Sequence, residues 1–84
     1  MMAIELEGIV RVGDHQVSAV AQCNYVHDRR RDGATGWFVK RPLAILIASG
    51  RNIRAFDVHG NSIALEEVER LCPGATDSFI RQTR

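Results

Sequence analysis

"AIELEGIVRVGDHQVSAVAQCNYVH", residues 3–27, sets apolar side chains at alternate positions on both sides of one Gly-Asp pair. Ile4, Leu6, Val10 and Val12 fall on one parity, and Glu5, Glu7 and Arg11 on the other. A period of two over this length predicts a half-buried strand. Gly13-Asp14 is a two-residue hairpin signal, because glycine supplies the positive φ that such turns need. Beyond it, Val17, Ala19, Ala21, Cys23 and Tyr25 share one face, and Ser18, Gln22 and Asn24 the other. The reading is an antiparallel hairpin whose inner face is the Val17–Tyr25 set. The small residues on that face predict a bulky element, such as a helix, packed over it.

Downstream, "WFVK", 37–40, reads as a strand. Pro42 cannot donate to a ladder and marks an edge, a bulge or a kink. "LAILIAS", 43–49, is apolar on both parities and predicts a central strand covered on both faces. "SGRN", 49–52, is a turn, "IRAFDV", 53–58, a returning hairpin arm, and "HGN", 59–61, another turn. The period then changes. In "ALEEVERLCPG", Leu65, Val68, Leu71 and Cys72 recur at helical spacing, with Glu66 and Glu67 where the helix dipole favours acids. Pro73 and Gly74 end that helix. "TDSFIRQTR", 76–84, predicts one more short helical turn capped by Thr76 or Asp77, or a frayed tail. The fold expected is one small α+β domain, 1–84: an antiparallel meander of about five strands, open or barrel-like, followed by one C-terminal helix.

The chain has 84 residues, 45% apolar and 25% charged. A domain of that size buries only about 60–65% of the surface of its unfolded chain. A deep desolvated catalytic cavity is hard to build in so small a core, so a non-enzymatic surface function is expected, with no cofactor. The longest apolar run, "LAILIA", is far short of the roughly 20 residues that span a bilayer. "MMAIELEG" carries acids rather than the basic start of a signal peptide. Cys23 and Cys72 follow no disulfide framework, so two free thiols and a cytoplasmic location are expected.

Net charge is +1, but it is unevenly spread. Residues 27–54 hold Arg29, Arg30, Arg31, Lys40, Arg41, Arg51 and Arg54 against Asp28 and Asp32, whereas both flanks carry more acids than bases. "HDRRRDGATGW", 27–37, is the peak of that basic middle and reads as a loop between hairpin arms. Arginine suits phosphate and carboxylate forks, and Trp37 stands within stacking reach of the loop. Arg29, Arg30, Arg31, Trp37, Lys40 and Arg41 are therefore the candidate contacts for nucleic acid or an acidic protein. The competing reading is a solvated hairpin loop with Trp37 closing one end of the core.

No zinc spacing or phosphate-cradling loop occurs. His15 adjoins Asp14 and His27 adjoins Asp28, while Asp57 and His59 would share a strand face; a third reading is a small ligand-binding protein or enzyme that uses Asp57 and His59, with or without Cys23. Both cysteines otherwise read as small core hydrophobes. The sequence thus points to a binding or accessory protein of bacterial or phage-like size. Nucleic-acid contact through the basic loop is its first reading. Binding of a protein, or of a second copy through a sheet edge, the loop or the acidic helix, is its second.

Overall fold

The computed structural model describes residues 2–28 and 35–83, with side-chain surroundings for 3–24 and 39–83. Strands β1 (Met2–Leu6), β2 (Val10–Val12), β3 (His15–Asp28), β4 (Thr35–Ser49), β5 (Asn52–Asp57) and β6 (Ser62–Ile63) precede two helices, α1 (Leu65–Leu71) and α2 (Ala75–Thr83). The strands form one open antiparallel sheet in the order β1-β3-β4-β5-β6, with β2 joined to β3 in line with β1. The mixed class stands, but the sheet does not close and there are two helices rather than one.

Both short turns follow the glycine rule. Gly13 (φ 59°) and Gly50 (φ 60°) open the two-residue connections closed by Val12–His15 and Ser49–Asn52. A residue with a Cβ is strained there.

The first strand predicted over residues 3–12 divides at Glu7–Ile9. At the break, the Glu7 N–H donates to the Ala19 carbonyl (2.7 Å), and the Ser18 hydroxyl donates to the Glu7 carbonyl (2.6 Å). The interruption shifts the phase. Leu6 lies opposite Val20 and packs on the core, whereas Val10 and Val12 lie opposite Val17 and His15 and stay exposed.

Pro42 does not split the next strand. β4 runs through it, and the register slips beside it: Val20 pairs with Ala44 and Ala21 with Pro42, leaving Leu43 as an extra residue. A bulge accepts a proline because one ladder donor is already unused there. The β3–β4 pairing continues to Asp28–Thr35, past Asn24 where β1 ends and Ala44 where β5 ends. A two-stranded arm therefore extends beyond the body. The molecule measures 51 × 24 × 23 Å, with a radius of gyration of 15.2 Å against about 12 Å for a compact chain of this length.

The core lies between one sheet face and the helices. Val20, Ala44, Leu46, Ala48 and Ala55 meet Val68 of α1 and Ala75 and Phe79 of α2. The predicted inner face of β3 is right only in part: Ala21 and Cys23 are buried, but the side of β3 that meets the helices is the other one. Ser18 and Val20 point to the helices, and Val17 and Ala19 point away. In α1, Val68 is fully buried, while Leu71 is 38% exposed.

The C-terminal segment is a nine-residue helix, not a single turn, because Phe79 gives it a buried anchor. Its N-terminus is capped from α1: the Glu69 carboxylate accepts from the Gly74 and Thr76 N–H groups, the task expected of Thr76 or Asp77. Those two hydrogen bonds, Gly74 first, hold Glu69 below the ordinary carboxylate range. Among the described residues no helix is long and apolar enough to cross a membrane.

Candidate interaction surface

The sheet's other face is the one surface of the body that is apolar and has no described element packed over it. Cross-strand partners share a face, so its rows can be read from the register. One row is Val10, Val17, Ile47 and Arg54; the next is Ala19, Ile45 and Phe56. Val12, His15, Ser49 and Asn52 close one end. Glu5, Ala21 and Pro42, then Ala3, Cys23 and Lys40, continue towards the hairpin arm. Two shallow depressions on this face meet at Ile47 and Phe56. One is lined by His15, Ser49, Asn52 and Arg54, the other by Ile45, Val58 and Gly60. Val10, Val12 and Val58 are 50–61% exposed at its margins.

The double cover predicted for "LAILIAS" is present on one side only. Ala44, Leu46 and Ala48 are covered, whereas Ile45 and Ile47 are only half-buried. The physical reason is supply: the two short helices suffice for one side of the sheet. A single sheet apolar on both parities needs two covering layers, and the described residues supply one.

Electrostatics divides the face. At the β1 margin, Lys40 Nζ lies 3.0 Å and 3.3 Å from the two carboxylate oxygens of Glu7. The hydrogen bond from Lys40 and the charge of Glu7 hold that ammonium above the ordinary lysine range, with Glu5 adding to the effect. Glu7 is thus matched and Glu5 is exposed beside it. At the β5 margin stands Arg54, on the same row as Ile47.

The predicted basic site is only partly within the described residues. Arg29, Arg30 and Arg31 lie outside them. Trp37 lies on β4 opposite Val26, but its side chain is outside the described set. Lys40 and Arg41 are consecutive on a strand, opposite Cys23 and Gln22, so they point to opposite faces. Arg51 lies in the β4–β5 turn, and Arg54 pairs with Ile47, seven residues and about 23 Å along β4 from Lys40. These four cations do not gather on one side.

Asp57 and His59 come together through backbone. Asp57 Oδ1 accepts from the N–H groups of His59 and Asn61, each at 2.9 Å, and this turn-closing role holds its carboxyl below the ordinary range, Asn61 contributing most. Cys23 sits elsewhere, between Ala3 and Lys40. Among the described residues no three His, Cys, Asp or Glu side chains gather as metal ligands would.

No family model matches the chain. No curated protein and no solved structure matches it either.

Proposed function

We propose that this protein is a protein-interaction module whose working surface is the helix-free face of the sheet. One observation carries the reading: Ile45, Ile47 and Phe56 form a continuous apolar surface, extended by Val10, Val12 and Val58, over which nothing in the described chain packs. Contiguous apolar surface of this kind marks contact sites in small domains. The face is built on strands and rimmed by polar groups, as a protein contact requires. The test is side-chain footprinting of Phe56, comparing dilute purified protein with protein inside the cells that make it. Protection in the cell supports the reading; equal labelling in both removes it.

A second reading, nucleic-acid contact, rests on Arg29–Arg31. In the chain they lie between the ends of β3 and β4, whose pairing runs on past the neighbouring strands to Asp28 and Thr35. An arm that extends beyond the body suits a contact with an acidic backbone.

A further inference from the structure

Resting on the reading of the sheet face as a protein contact, we infer that its occupant is a partner segment carrying a carboxylate and a bulky apolar side chain about 7 Å apart, the carboxylate on Arg54 and the apolar group over Ile45, Ile47 and Phe56. Three features of the face lead to this chemistry.

The first is that the two depressions differ in kind. One gathers groups that can donate hydrogen bonds: the His15 imidazole, the Ser49 hydroxyl, the Asn52 amide and the Arg54 guanidinium. His15, Ser49 and Asn52 form one cross-strand row, and Arg54 stands on the next. The other depression is apolar, with Ile45, Ile47, Phe56 and Val58. Ile47 and Phe56 belong to both, so the donor-rich end runs into the apolar one. A group that fills both is an anion joined to an apolar body.

The second is that the positive charge at the donor-rich end is unmatched. The ion pairs among the described residues are Lys40–Glu7 and Arg70–Glu67, so exposed Arg54 and His15 have none there. Asp57 also borders the apolar depression, but its carboxylate accepts from the His59 and Asn61 N–H groups of its own turn. Asp14 lies in the turn before His15 and forms no ion pair with it. A carboxylate arriving from outside therefore meets a guanidinium fork without a competitor.

The third is spacing. Arg54 and Phe56 lie two residues apart on β5, beside Ile47 and Ile45, so their rows are about 7 Å apart. An extended segment repeats its side chains on one face at the same interval. Acid-x-apolar along such a partner places one group on each row. A polyanion fits less well. Beyond His15, the next described cation on this face is Lys40, about 23 Å along β4 and matched to Glu7, so a phosphate backbone held at Arg54 finds no further contact.

The experiment is a two-dimensional amide NMR titration of the purified chain with the peptide N-acetyl-Ala-Glu-Ala-Leu-Ala-amide, from about 0.05 to 10 mM. The peptide is too short to hold a helix. Saturable shifts are expected at the Ile47, Arg54 and Phe56 amides, with a dissociation constant on the order of 1 mM. Replacing Glu by Gln in the peptide should weaken binding about three- to tenfold. Arg54→Ala, at an exposed position and so harmless to the fold, should weaken the Glu peptide by the same factor and leave the Gln peptide unchanged. Arg54→Glu should instead prefer a peptide with Lys in place of Glu. Replacing Leu by Ala should also weaken binding. Absence of saturable shifts at about 10 mM overturns the inference, and so do Glu and Gln peptides that bind alike. A single-stranded oligonucleotide that shifts the same amides, and does so less in Arg54→Ala, overturns it in favour of a phosphate-bearing partner. If the peptides fail while Phe56 is still protected in cells, the interaction face stands and the acidic partner falls.

Discussion

The Ser18 hydroxyl donates to the Glu7 carbonyl over 2.6 Å, in a site where Ser18 is 2% exposed. This bond spans the break between β1 and β2, where the Glu7 carbonyl has left the regular ladder. It explains a buried polar residue on the helix side of β3. Ser18→Ala keeps the volume but strands that carbonyl, so it should cost about 1–3 kcal/mol. Urea denaturation monitored by circular dichroism would measure it. An unchanged midpoint would mean that water replaces the hydroxyl and that the bond does not hold the break.

Phe79 anchors α2 with no exposed surface, packed with Val68, Leu46 and Val20. Phe79→Ala should cost about 3–5 kcal/mol. Domains of this size have about 4–12 kcal/mol in all, so the variant should lose its cooperative thermal transition or melt far below the wild type. A decrease under about 1 kcal/mol would show that α2 is dispensable to the core.

What could be read from the sequence divides along the same lines. Period-two stretches and Gly-Asp or Gly-Arg turns are local, and β3, β5 and both tight turns sit where those signals put them. The helix of residues 65–71 is equally local. Face assignment is not local. Val17, Ala19 and Ala21 share a face as their spacing requires, yet which face meets the helices depends on Phe79 and Val68, more than forty residues away in the chain. The phase shift at Glu7–Ile9 reverses Val10 and Val12 for the same reason, since it is fixed by Ser18 on another strand. The basic residues cluster locally in the sequence, but strand alternation separates Lys40 from Arg41 and the β4 rise carries Arg54 away from both.

Two carboxylates should make stability fall in acid. Asp57 and Glu69 both have folded-state values below those of the unfolded chain, Asp57 through Asn61 and His59, Glu69 through Gly74 and Thr76. A depressed folded value means that the native state binds fewer protons. The stabilisation is present above the unfolded values, near pH 4–4.5, and is lost as pH falls through the folded ones. Asp57→Asn/Glu69→Gln should therefore flatten the decline in melting temperature between about pH 5 and pH 2, while lowering it at neutral pH. Equal slopes for variant and wild type would mean that neither carboxylate is anchored in solution.

The arginine triplet gives the prediction that separates the two functional readings. If Arg29, Arg30 and Arg31 bind phosphates, single-stranded DNA should bind at about 50 mM salt and weaken as salt rises, through release of counterions. Arg29/Arg30/Arg31→Ala should then remove most of that binding and reduce the slope of log affinity against log salt by about 2, since each phosphate neutralised on a single strand accounts for about 0.7. Lys40→Ala should change it little, because Lys40 is already matched to Glu7 at 3.0 Å. Fluorescence anisotropy with a labelled oligonucleotide measures all three. Binding absent at low salt, or insensitive to salt, rules out the nucleic-acid reading. It leaves the sheet face untouched, since that reading rests on Ile45, Ile47 and Phe56 of β4 and β5 and not on the arginines.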